Sequence, residues 1–249
     1  MPPHYWNDAV THLSAACPTM AQLIANYPAH ESMTGRGDAF YTLMRSIVGQ
    51  QISVKAADSV WNKLEGKIKT ITPQKILRAK EETLRACGLS GQKVSYAKNL
   101  AQYFIEKRIC SPLEGERDLA SDNAASSVGG LSITTSPHRL ASARRLPLKG
   151  GVKESFFTSL TDAEIIAELT SIKGISVWTA QMFLMFHLLR PNVFPVQDIG
   201  LIKGLERHYN KGQKLTKSEI IAHGERFSPY RSVATWYLWR SLDPVPVAY

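Results

Sequence analysis

An all-α fold is the class this sequence predicts, and three observations predict it. Apolar residues recur at helical rather than strand spacing along most of the chain. Cap and stop residues bracket those runs. No segment sustains period-two alternation, and no Asn-Gly or Asp-Gly pair signals a hairpin.

Taken in order, Ala39 to Glu65 carries Phe40, Leu43, Met44, Ile47, Val48, Ile52, Val54, Val60, Trp61 and Leu64 near helical spacing. Gly49 and the Gln50-Gln51-Ile52-Ser53 stretch divide it, with Ser53 placed to cap the second helix. Pro73 opens a helix to Ala86, because proline fits a first turn, and Gly88 ends it. Gln92 to Lys107 forms the next. Thr161-Asp162-Ala163-Glu164 has capping-box spacing and starts a helix to about Leu169. A turn at 172–176 leads into Val177 to Leu189, stopped by Arg190-Pro191. Helices over Ile199–Tyr209 and Tyr230–Arg240 complete the set. Residues 111–150 break the pattern. They are rich in Ser, Ala and Gly, hold Pro112, Pro137 and Pro147, and contain no aromatic residue. Such a stretch buries too little apolar surface to offset its ordering entropy, so it reads as a flexible insertion between 1–110 and 151–249, which together make one domain.

Composition narrows the partners. The 249 residues carry a net charge of +9, which favours a polyanion: nucleic acid or an acidic membrane surface. No helix pairs a Lys/Arg face with an exposed apolar face, and no apolar run reaches the roughly 18 residues of a span. No signal peptide is evident, so a cytoplasmic protein is expected, nucleoid-associated in a bacterium and nuclear in a eukaryote. Cys17, Cys87 and Cys110 are widely spaced, which argues against a disulfide framework, a zinc site or an iron–sulfur cluster.

Two local motifs carry the chemistry. The first is Leu-Thr-Ser-Ile-Lys-Gly-Ile-Ser-Val-Trp-Thr-Ala at 169–180, a turn between two helices. Gly174 permits the sharp turn, and the free amides of the following helix form an anion site. On the residues alone, an ordinary helix–turn–helix corner accounts for it better. The second is Phe194-Pro195-Val196-Gln197-Asp198-Ile199-Gly200, where Asp198 begins a helix and reads in isolation as an N-cap.

Both motifs, in this order, resemble the helix–hairpin–helix DNA glycosylase superfamily. With Gly49-Gln50-Gln51-Ile52-Ser53 and Phe227-Ser228-Pro229-Tyr230-Arg231-Ser232-Val233-Ala234 leading into Trp236-Tyr237-Leu238-Trp239-Arg240, the chain is most similar within it to 3-methyladenine DNA glycosylase II. The resemblance implies a two-lobed helical fold with a central cleft. It implies Asp198 as the catalytic carboxylate, and a base pocket of Trp178, Met182, Trp239 and Gln50. Gln51 would be the wedge that fills the gap left by a flipped base, where relatives often carry leucine. Ile172, Gly174, Ser176, Val177 and Thr179 would grip a DNA phosphate, with Ser176 replacing the second glycine of the family pattern. Backbone carbonyls of Thr170, Ile172 and Ile175 would hold a structural Na+ or K+. No cofactor is required. Trp178 stands where strand-nicking relatives have lysine, which implies hydrolysis only. The chain is too short before Asp38 for the family's N-terminal β domain. The expected protein is a monomer that binds duplex DNA containing a damaged base. A glycosylase for oxidised or deaminated bases and a non-catalytic DNA-binding protein are the alternatives.

Overall fold

A computed structural model describes residues 2–27, 33, 38–107, 109 and 155–242. Thirteen helices and no strand lie among the described residues: α1 (Trp6–Ala16), α2 (Pro18–Asn26), α3 (Ala39–Gly49), α4 (Val54–Ile68), α5 (Pro73–Arg78), α6 (Glu81–Ala86), α7 (Gly91–Glu106), α8 (Ser155–Thr158), α9 (Asp162–Thr170), α10 (Val177–Phe186), α11 (Ile199–Tyr209), α12 (Lys217–Arg226) and α13 (Arg231–Arg240).

The starts follow from short polar side chains that bond free amides. Ser53, Thr72, Ser90, Ser176 and Asp198 each accept from the amide three residues on. Thr161 with Glu164 makes the full capping box. The helix expected over Pro73–Ala86 is two, because Ala79 and Lys80 are extended. Glu81 and Glu82 then favour a fresh N-terminus through the helix dipole. The helix expected to reach Leu189 stops at Phe186. Leu189 takes a left-handed φ of 51°, and the Arg190 amide reaches back to the Leu184 carbonyl at 2.9 Å. Helices α1, α2 and α12 were not anticipated. For α12 a signal was available, since Thr216 and Glu219 form a second capping box.

The helices sort into two packing groups. In one, α7 lies against α3, α5 and α6, and α10 packs on α3 and α9. In the other, α13 packs on α1, α2 and α11. One continuous apolar core runs through both, with Trp6, Trp61 and Trp236 inside it. Trp6 meets Trp236 edge-on at 5.4 Å. Crossing of α11 and α13 is close because Gly204 has no side chain: a Cβ there would stand 3.0 Å from that of Leu238.

The stretch 111–150 lies outside the described residues, as does Cys110. Its flanking helices meet: Phe104 and Phe157 have ring centroids 6.3 Å apart, and Lys107 pairs with Glu168 at 2.8 Å. Cys17 and Cys87 are free thiols. No helix among the described residues is long and apolar enough to cross a membrane.

Candidate functional site

The site is assembled where α10, α11 and α13 converge on one carboxylate. Asp198 caps α11, and its Oδ1 accepts from the Leu201 amide at 2.7 Å. The same oxygen accepts from Trp239 Nε1 at 2.7 Å, while Oδ2 accepts from Trp178 Nε1 at 2.8 Å. Asp198 is only 7% exposed. All three partners are N–H groups that can only donate, an arrangement complementary to a carboxylate accepting at both oxygens. The N-cap role and the site role therefore coexist in one side chain.

The loop before Asp198 is fixed from α13. Ser232 accepts from the Val193 amide at 2.9 Å, donates to the Arg190 carbonyl at 2.6 Å, and gives its own amide to the Pro191 carbonyl at 2.9 Å. The Asp198 amide closes a turn onto the Pro195 carbonyl at 2.8 Å. Ser232 falls within the Phe227–Ala234 motif but was assigned no role from sequence, because its partners lie some forty residues away. Trp239 is buried and stacks on Phe186 at 6.1 Å. Trp178 is only partly buried. Met182 is 2% exposed and belongs to the apolar core.

Beside Trp178 opens a groove of about 490 Å³, lined among others by Gln50, Gln51, Lys93, Tyr96, Ser176 and Trp178. One wall is the hairpin. Gly174 has φ 108°, a conformation that favours glycine, and a Cβ there would meet the Tyr96 ring at 2.2 Å. The Ile175 amide bonds the Ile172 carbonyl at 3.0 Å. Ser176 Oγ accepts the Thr179 amide at 3.2 Å, and Ser176 O accepts that of Ala180. The amides of Val177 and Trp178 thus precede the helix ladder, and Val177 is exposed. Thr179 is fully buried, with its amide taken by Ser176, so it shapes the turn from inside.

The opposite wall is the loop after α3. Gln50 does not reach Asp198; its amide donates to the Gly174 carbonyl at 3.0 Å and to Thr179 Oγ1 at 3.4 Å, tying the loop to the hairpin. Gln51 is exposed with a left-handed φ of 59°. Lys93 Nζ donates to the Val48 carbonyl at 2.7 Å, and burial pulls its pKa below the usual lysine value. At the hairpin, the Thr170 carbonyl ends α9 and the Ile175 carbonyl precedes the first acceptor of α10, so both stand outside the helix ladders. Ile172 completes a set of uncharged oxygen donors. No cluster of His, Cys, Asp or Glu that could hold a metal occurs among the described residues.

The chain matches, over residues 44–229, the family model described as HhH-GPD superfamily base excision DNA repair protein. It is similar to DNA-3-methyladenine glycosylase 1 of Schizosaccharomyces pombe, 27% identical over 225 residues, which is 89% of this chain and 80% of that one. Among solved structures it resembles a DNA-3-methyladenine glycosidase from Bacillus halodurans, with a TM-score of 0.67, 26% identity and coverage of 94% of this chain and 88% of the other. It also resembles the Schizosaccharomyces pombe 3-methyladenine DNA glycosylase in complex with abasic DNA, with a TM-score of 0.67, 26% identity and coverage of 97% and 99%.

Proposed function

The chain belongs to the HhH-GPD superfamily of base excision DNA repair proteins, and from that premise we propose that it is a monofunctional DNA glycosylase acting on alkylated bases of the 3-methyladenine type. The observation that carries the reading is the buried Asp198 carboxylate, held by two indole N–H groups and one amide, one of the indoles being that of Trp178 on the hairpin's second helix.

In this reading the first turn of α10, exposed at Val177, with the turn at Ile172, Gly174 and Ser176, receives one backbone phosphate of duplex DNA. The carbonyls of Thr170, Ile172 and Ile175 would hold a monovalent cation, which would add fixed positive charge beside that phosphate. The damaged nucleotide rotates out of the stack, at a cost of a few kcal/mol, and Gln51 occupies the gap. The glycosidic bond then breaks, its electron pair leaving with the base. A base alkylated on a ring nitrogen is already cationic and departs neutral, so it needs no strong acid. Positive charge develops on the sugar, and Asp198 stabilises it in a low-dielectric site. Water adds to C1′ and loses a proton, leaving an abasic site in an intact strand. Trp178, half-buried beside the groove, offers a ring suited to a cationic base. That preference, together with the absence of any acid among the three partners of Asp198, favours alkylated over oxidised or deaminated bases.

The test is Asp198→Asn in single-turnover excision on a duplex bearing one 3-methyladenine-type lesion. Base release falls by about 10²-fold or more, the scale of losing an electrostatic stabiliser, while binding to abasic-site DNA persists. Near-normal release by the variant would falsify the assignment.

A further inference from the structure

The Trp239 indole reaches Asp198 because residue 200 has no side chain. Gly200 lies in the first turn of α11. A Cβ built on it would stand 2.8 Å from Cδ1 and 2.9 Å from Nε1 of Trp239, and 3.1 Å from Oδ1 of Asp198. The obstructed atoms are both ends of one hydrogen bond, the 2.7 Å contact between Trp239 Nε1 and Asp198 Oδ1. Backbone conformation does not call for glycine here, since Gly200 is not among the positive-φ residues. Helix propensity runs against it, alanine being better inside a helix. The demand that glycine meets is therefore one of approach.

Trp239 has little room to yield to an added methyl. It is buried, stacks on Phe186 at 6.1 Å, and follows Leu238, which is seated against Gly204 one turn along α11. Gly200 and Gly204 together let α13 lie close on α11, and only the first sits at the carboxylate.

We propose that Gly200 is a positioning residue of the glycosylase reaction: its missing side chain lets the Trp239 indole close on Asp198 and fix the carboxylate where sugar charge develops. This rests on the glycosylase reading above. Residue 200 acts through Trp239 and touches no substrate in this account. A methyl group there turns the indole or the carboxylate out of line, and misplacement of about 1 Å is enough to cost about 10²-fold in rate.

Three variants test it: Gly200→Ala, Trp239→Phe, and the two combined. The five tryptophans give five indole N–H signals in a nitrogen-15 correlation spectrum, and Trp239→Phe identifies one by its loss. In Gly200→Ala that signal moves toward the position of an unbonded indole, while those of Trp6 and Trp61 stay in place. Single-turnover excision at saturating enzyme falls about 10²-fold, with affinity for abasic-site duplex unchanged. The double variant is no slower than the slower single one, because both changes remove the same contact. An unmoved Trp239 signal overturns the proposal, as does wild-type excision by Gly200→Ala. Should Gly200→Ala fail to fold, Trp239→Phe decides, since it breaks the same bond without adding an atom; full activity in that variant overturns the role. Wild-type protein that releases no base overturns the glycosylase reading instead, and the indole signal still reports whether Gly200 sets the contact.

Discussion

Gln51 is held at a φ of 59°, exposed, at the tip of the loop between α3 and α4. A left-handed conformation costs a non-glycine residue about 1–2 kcal/mol, and nothing in the packing of an exposed tip repays it. The cost fits a residue kept for what it does in a DNA complex. Gln51→Gly should therefore move two properties in opposite directions. Chemical denaturation should show unchanged or higher stability, by up to about 1 kcal/mol, while single-turnover excision falls because the base vacancy is no longer filled. A variant both less stable and fully active would remove the wedge assignment. The N-cap role of Asp198 was legible in the sequence because a short acidic residue stands at the start of an apolar helical run. Gly200 and Ser232 were not, because their roles are set by Trp239, Arg190 and Val193 across the fold. Gln50, which the resemblance put in the base pocket, lines the groove beside Trp178 and also ties its loop to the hairpin, a tie that sequence did not show.

Among the elements, α10 depends most visibly on its first residue. Ser176 replaces a family glycine and uses its hydroxyl to cap the helix that presents Val177 and Trp178. Ser176→Ala should cost about 1 kcal/mol of stability, seen as a lower melting temperature, and should weaken DNA binding through a frayed first turn. An unchanged melting temperature would mean that the cap contributes nothing. A second element-level prediction concerns α7 and α9. Glu168 accepts from Tyr103 at 2.7 Å and pairs with Lys107, and these partners hold its pKa below the usual carboxylate value, the lysine bond most strongly. A depressed folded-state pKa contributes stability above the unfolded value and loses it as pH falls through the folded one. Glu168→Gln should flatten the decline in stability between about pH 5 and pH 3. An acid limb identical to wild type would show that the pair is inert. Capping signals made most helices readable one by one. What sequence did not show was the break at Ala79, where two six-residue helices stand in place of one long one, because apolar periodicity continues across it.

For the whole molecule, the described flanks of the 111–150 stretch are already joined by Phe104 against Phe157 and by Lys107 with Glu168. Replacing 112–149 with a short Gly/Ser linker should preserve folding, DNA binding and excision, since closure entropy changes slowly with loop length. A salt titration checks the passive reading. A clearly shallower slope of log affinity against log salt in the shortened protein would mean that Arg139, Arg144, Arg145 or Lys149 meets phosphates. The all-helical class was readable from periodicity, but the closure of the second packing group was not, because α1 and α2 meet α13 from the far end of the chain. That closure has a consequence for biosynthesis. Trp6 leaves the ribosome about 230 residues before its partners Trp236 and Tyr237. Trp239, which holds the carboxylate, arrives with them. A nascent chain can already present its hairpin and Asp198 while lacking the wall that orients it. Competence for excision should therefore switch on abruptly, once α13 has been made and docks on α1, α2 and α11, and translation products that stop before α13 should grip DNA without acting on it.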